Sequence, residues 1–155
     1  MAEKAGPQPL VSLSHVDVFY GPVQALFDVD ITVAEGETVV VLGGNASGKS
    51  TTLKSVLGLV KVAKGELRYD NQLVNNVPAH EMIRRGLGSI PEGRRMFSEM
   101  TVLENLTLGA YACRDEPKAE IGRRIEEAFT MFPRLAQRQS QLAGTLSGGE
   151  QQMLA

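Results

Sequence analysis

Thr38-Val39-Val40-Val41-Leu42 runs without interruption into Gly43-Gly44-Asn45-Ala46-Ser47-Gly48-Lys49-Ser50-Thr51. The first five residues are apolar or β-branched throughout, the pattern of a strand covered on both faces, and they predict a place at the centre of an α/β sheet. Beyond the glycines, Leu53, Val56 and Leu57 recur at three- and four-residue spacing, which predicts a helix over Gly48–Leu59 with Gly58 near its end. Strand, glycine loop and helix therefore follow in the order that a phosphate site requires. In the pattern Gly-x-x-x-x-Gly-Lys-Ser/Thr, successive backbone N–H groups curl around phosphate oxygens, and the start of the helix adds its positive dipole end. Gly43, Gly44, Asn45, Ala46, Ser47, Gly48, Lys49, Ser50 and Thr51 are thus the candidate nucleotide-binding residues. Lys49 is placed to neutralise charge on the β- and γ-phosphates, and the Ser50 hydroxyl to ligate Mg²⁺. The pattern alone does not choose a family. Ala46 carries a conformational question, because a non-glycine residue at that point of the loop must avoid positive φ or bear strain.

The rest of the chain supports a globular α/β domain. Of 155 residues, 43% are hydrophobic and 22% charged, a balance that excludes a disordered or collagen-like chain. The net charge of −2 gives no chain-wide basic field, and the basic residues come as pairs, Arg84-Arg85, Arg94-Arg95 and Arg123-Arg124, so nucleic acid is not an expected partner. The single cysteine, Cys113, excludes an internal disulfide framework and fits a reducing cytosol. No apolar run approaches the 18 residues of a membrane span, and Met1–Pro9 lacks the apolar segment of a secretory signal, so a cytoplasmic location is expected. Residues 10–20 alternate apolar and polar and predict a half-buried strand ended by Gly21-Pro22. Phe27, Val29, Ile31 and Val33 predict a second, the two forming an antiparallel, hairpin-like layer. Gly65–Tyr69 reads as another short strand, Pro78–Arg85 as a helix and Leu87–Ile90 as a strand. From Thr101 the texture is helical: Thr101-Val102-Leu103-Glu104 fits a capping box, and Ile121, Ile125, Ala128, Phe129 and Phe132 form an apolar stripe closed by Pro133.

Leu146-Ser147-Gly148-Gly149-Glu150-Gln151-Gln152 is the second informative motif. Ser147 is a good N-cap, the two glycines leave the backbone exposed, and a helix is predicted to begin there. Beside the glycine loop, this segment resembles the signature of ABC-type ATPases, in which it faces the γ-phosphate held by the loop of the other subunit. The resemblance implies that Ser147, Gly148, Gly149 and Glu150 contact a nucleotide in trans, and that Tyr20, closing the first strand, stacks on adenine. Pro91-Glu92-Gly93-Arg94-Arg95-Met96-Phe97, Phe132-Pro133-Arg134-Leu135 and the signature together resemble the ATP-binding subunit of branched-chain amino-acid importers, over nearly the whole of residues 10–155. Glu92 stands where most ABC proteins have the Gln of the Q-loop. A carboxylate there is a candidate Mg²⁺ ligand.

The implied architecture is a P-loop nucleotide-binding core, an antiparallel β layer plus a parallel sheet, in residues 1–90. A helical subdomain in 91–145 follows, and then the signature and the start of its helix in 146–155. The implied cofactors are ATP and Mg²⁺. The implied partners are a second ABC ATPase subunit, in a heterodimer, and integral membrane permease subunits, with the chain peripheral on the inner face of the cell membrane and touching neither nucleic acid nor the transported substrate. The family's Walker B Asp, catalytic Glu and switch His all follow the signature, so no catalytic residue is expected within these 155 residues and the C-terminal part of the fold is expected to be missing. On that expectation the chain alone is unstable and inactive as an ATPase. Asp115-Glu116-Pro117 imitates the end of a Walker B strand, but Cys113-Arg114 precedes it where an apolar strand is needed, and it reads as a surface turn. His15 and His80 fall in an early strand and an early helix, away from the switch position. Two alternatives remain open on the residues: a non-transport ABC protein acting on ribosomes or DNA, and a short regulatory protein that binds nucleotide without hydrolysing it.

Overall fold

A computed structural model describes residues 9–155 except 91, 92, 94, 95 and 114. The chain divides into two compact units, Met1–Leu87 and Gly88–Ala155. The first is built on four strands, β1 (Pro9–Tyr20), β2 (Val23–Ala34), β3 (Val62–Tyr69) and β4 (Gln72–Leu73), in the order β2-β1-β3-β4. Every pairing is antiparallel. Helices α1 (Lys49–Val56) and α2 (Ala79–Arg84) complete the unit. The expected hairpin layer is therefore present. Its core is Leu13, Val16, Val18, Leu26, Val62, Leu67, Val74 and Met82.

That core depends on a break in the alternation of β1. Leu13 is buried, Ser14 and His15 are both exposed, and Val16 and Val18 are buried again. Between Leu13 and Val16 β1 advances three residues while β2 advances two, from Ile31 to Val29, and β3 does the same opposite Ser14–Asp17. One extra residue has been taken up in a β-bulge. His15 sits there at φ +53° and Asp28, on β2, at φ +49°. Side chains offset the strain: the His15 backbone N–H donates to Asp30 Oδ1 at 2.9 Å, its Nδ1 lies 2.8 Å from Asp28 Oδ1, and the Asp28 N–H donates to Asp17 Oδ1 at 2.9 Å. Gly65, at φ +81°, accommodates the bulge from β3, because a Cβ there would strike the carbonyl oxygens of Ser14 and His15.

Three expectations need correction. Residues 38–42 lie in no ladder, and Val40 and Leu42 are 70% and 85% exposed. A strand is defined by hydrogen-bonded neighbours, and among the described residues none lies beside this segment, so the parallel sheet that it was expected to centre is not seen there. Residues 87–90 are likewise outside any strand, with Ile90 exposed. The expected apolar stripe of α1 is its covered face only in part: Val56 packs against the core and Leu57 is half-buried, but Leu53 is exposed, and Thr52 and Ser55 are the fully buried residues. Those two small side chains are satisfied internally, Thr52 Oγ1 donating to Gly48 O and Ser55 Oγ to Thr52 O. The helix stops at Val56, with Gly58 at φ +69° beyond its C-cap.

The second unit is helical: α3 (Val102–Gly109), a 3₁₀ turn (Ala110–Cys113), α4 (Lys118–Met131), α5 (Pro133–Ala136) and α6 (Gly148–Leu154). Val102, Phe129, Leu135, Ala143, Leu146 and Leu154 form its core. The capping box at Thr101 is present, the Thr101 N–H and Oγ–H donating to Glu104 Oε2 at 2.7 and 2.8 Å. The stripe of α4 packs on this core through Ile125, Phe129 and Phe132, and Pro133 both ends α4 and opens α5. Arg123 and Arg124 are spent on the exposed side of α4, where Arg123 pairs with Glu120 and Glu127, and Arg124 with Glu116.

Candidate nucleotide site

The glycine loop is held between β2 and the first turn of α1. Gly48 is its fixed point: φ is +91°, and a Cβ would lie 2.7 Å from Leu26 Cδ2 and 3.4 Å from the Ala25 carbonyl oxygen, so only glycine lets the loop approach the β layer this closely. The Ser47 N–H turns back to Gly44 O at 3.4 Å, and the Thr52 N–H donates to Gly48 O at 2.8 Å, tying loop to helix. Ala46 sits at φ +62°. Of the two possibilities that the sequence left for it, the structure takes the strained one, at a cost of about 1 kcal/mol.

Lys49 Nζ donates to Gly43 O at 2.9 Å and Gly44 O at 2.6 Å, with Ser47 Oγ at 3.4 Å. The ammonium therefore lies over the loop, among the groups that frame it. An open cleft of about 380 Å³ adjoins the loop, lined by Ala46, Ser47, Gly48, Lys49, Ser50 and Thr51 on one side and by Val23, Gln24, Ala25 and Phe27 of β2 on the other. The β2 wall was not foreseen. Its signal was there, since Val23, Ala25 and Phe27 alternate directly after the Gly21-Pro22 turn. Tyr20 is 45% exposed at the end of β1 and pairs with Val23, but it is not part of the cleft lining. Gly43, Gly44 and Asn45 form the loop's first half without lining the cleft. Glu92 lies outside the described residues.

The donor set fits a nucleoside phosphate with its hard cation: the first N–H groups of α1 have no carbonyl one turn before them, Lys49 supplies a positive charge over the loop, and Ser50 is exposed with its hydroxyl oxygen.

The second motif belongs to the helical unit. Ser147 caps α6 through a complete capping box: its N–H and Oγ–H donate to Glu150 Oε2 at 2.9 and 2.7 Å, and the Glu150 N–H reaches Ser147 Oγ at 3.4 Å. Glu150 is 9% exposed. Its side chain is thus directed to its own helix start, while Gly148 and Gly149 are exposed. The hydrogen bonds from Ser147, side chain first and then backbone, hold its carboxyl below the usual range, and the charges of Arg138 and Arg134 add to this.

This fold falls among the P-loop nucleoside triphosphatases. A solved structure of an ATP-binding subunit of an ABC transporter superposes with a TM-score of 0.79 at 30% identity, over 94% of this chain and 59% of that one. Residues 26–155 match the ABC transporter family, and the chain belongs to it. The high-affinity branched-chain amino acid transport ATP-binding protein BraG of Pseudomonas aeruginosa is 41% identical over 147 residues, 94% of this chain and 61% of BraG. The probable branched-chain amino acid transport ATP-binding protein LivF of Archaeoglobus fulgidus is 39% identical over 136 residues, covering 88% and 56%. The chain thus spans about three fifths of the length of these relatives.

Proposed function

We propose that this chain is part of the ATP-binding subunit of an ABC importer, which hydrolyses ATP to drive uptake of branched-chain amino acids. The observation that carries the reading is the cleft between β2 and the loop from Ala46 to Thr51, with Lys49 over its carbonyls and Gly48 seated on Leu26. The names of the similar proteins supply the substrate class. The loop residues Gly43–Thr51 hold the phosphates of ATP, and Lys49 leaves its two carbonyls to bind them. Ser50 takes Mg²⁺, with Glu92 as a second candidate ligand. Held there, Mg²⁺ would supply charge to offset that which develops in phosphoryl transfer. Tyr20, exposed at the end of β1 and paired with the cleft residue Val23, supplies an aromatic face for adenine. Ser147, Gly148 and Gly149 present an exposed backbone and a hydroxyl to the nucleotide of a second ATPase subunit, which makes a heterodimer peripheral to permease subunits on the inner face of the membrane. The core in 1–90, the helical subdomain in 91–145 and the signature in 146–155 divide this work.

The test is reconstitution of the complete subunit with its permease and partner in vesicles, with ATP turnover and labelled leucine uptake measured together. Lys49→Ala should abolish both while leaving the subunit folded, because Lys49 is half-buried and its ammonium touches the loop carbonyls rather than the core. Turnover that persists in Lys49→Ala, or turnover that no branched-chain amino acid stimulates, would refute the reading.

A further inference from the structure

Glu150 is the only buried charged side chain among the described residues, and its carboxylate sits in a place where charge is awkward. It accepts a hydrogen bond from the Ser147 hydroxyl at 2.7 Å and puts a full negative charge within one turn of the residue proposed to meet a phosphate. Left alone, that charge would repel the incoming anion in a partly desolvated setting. The charge of Arg134 offsets part of it, and Arg138 does so in contact: its Nε lies 3.4 Å from Glu150 Oε1, the oxygen that Ser147 does not use. The guanidinium is itself aimed. Arg138 Nη1 donates to Gln141 Oε1 at 3.3 Å, and Gln141 Nε2 donates to Thr145 Oγ1 at 2.8 Å, two residues before Ser147.

We propose that Arg138, outside the motif, is a positioning residue for the Ser147–Glu150 capping box and so for the exposed backbone at the start of α6. It neutralises Glu150 and fixes Oε1, so that Oε2 holds Ser147 in one orientation while the site presents no uncompensated charge to phosphate. This rests on the nucleotide reading of Ser147 given above. A merely structural arginine would support the fold equally well whatever residue 150 is. A charge-neutralising one matters only while residue 150 is a carboxylate.

The experiment is a double-mutant cycle on ATP turnover by the assembled complex, with Arg138→Gln, Glu150→Gln and the pair. The expected result is a loss of about fivefold in kcat/KM for Arg138→Gln beside Glu150, and less than twofold in the Glu150→Gln background, with Arg138→Lys restoring most of the loss. Equal losses in both backgrounds, or no loss in either, would overturn the inference and leave the function standing. Absence of turnover in the unsubstituted assembly would overturn the function and the inference with it. Should Arg138→Gln unfold the subunit, Arg138→Lys still decides, since the inference requires a variant that keeps the charge to stay near normal in kcat/KM, and a fivefold loss there would overturn it.

Discussion

Ala46 and Gly48 are two residues apart, and both adopt positive φ, yet they carry opposite expectations. Ala46 bears the left-handed conformation with a Cβ, so Ala46→Gly should raise stability by about 1 kcal/mol, read as a shift of the denaturation midpoint at constant slope. Part of that gain is returned through the greater freedom of glycine in the unfolded chain. Gly48→Ala should do the reverse and cost about 2 kcal/mol, because the new methyl must displace Leu26, a core residue, as well as bear the strain. Gly44→Ala is the control: nothing lies within 4 Å of its added Cβ. A similar loss for Gly44→Ala and Gly48→Ala would show that the close approach to Leu26 is not what fixes the loop.

At the scale of elements, the helical unit hangs on carboxylates at or near its helix starts. Glu104 and Glu150 are held below the usual carboxyl range by hydrogen bonds from Thr101 and Ser147, and Glu120 is drawn down to about 2 by Arg123. A group whose pKa is lower in the folded state binds fewer protons there, so its stabilisation is complete above its ordinary value of 4.5 and disappears as pH falls through the folded value. Stability of this unit should therefore decline from about pH 4.5 towards pH 2, and Glu104→Gln should flatten the decline measured by denaturant titration at each pH. His15 has the opposite sign. Its pKa is raised, first by the hydrogen bond to Asp28, so its contribution is present below pH 6.5 and is lost as pH rises through the raised value. These elements also show what the sequence could reveal. Thr101-x-x-Glu104 and Ser147-x-x-Glu150 are local devices, spelled within four residues; the first is read in full from the sequence, whereas at the second only the Ser147 cap is, with Glu150 assigned to nucleotide contact rather than to the box. The apolar spacing of α4 was legible too, because Phe129 and Phe132 find their core within the same unit. The face of α1 was legible only in part: Val56 packs on the core as its spacing suggests, but Leu53 is exposed, because which side is covered depends on the β layer beneath Gly48. Arg138 was invisible, because its partner lies twelve residues away and no spacing rule links them.

Over the whole molecule, the least satisfied feature is the stretch from Thr38 to Leu42. It has the composition of a buried strand, carries no charge, and leaves most of Val40 and Leu42 exposed. Such a segment offers unpaired backbone groups and apolar side chains to any other extended chain. The 155-residue chain should accordingly self-associate with rising concentration, and Val40→Lys should suppress this without lowering the unfolding midpoint, as light scattering and thermal melts would record. Equal association in Val40→Lys would place the sticky surface elsewhere. The same segment marks the limit of sequence reading here. Periodicity identifies residues suited to a covered strand, but the cover must come from residues distant in the chain, and a five-residue pattern says nothing of where they are.

The bulge at His15 has a consequence for how the chain tolerates changes of length. Side chains on a strand are sorted by odd and even position, and the extra residue in β1 returns Val16 and Val18 to the side of Leu13. Removing His15 would join Ser14 to Val16, and simple alternation would then keep all three inward. Removing Asp17, two positions on, would set Val16 and Val18 side by side and turn one of them out of the core. One-residue deletions only two places apart should thus differ sharply, the first leaving a shortened but correctly sorted strand and the second a chain that fails to fold, as yields of soluble protein from the two deletions would distinguish.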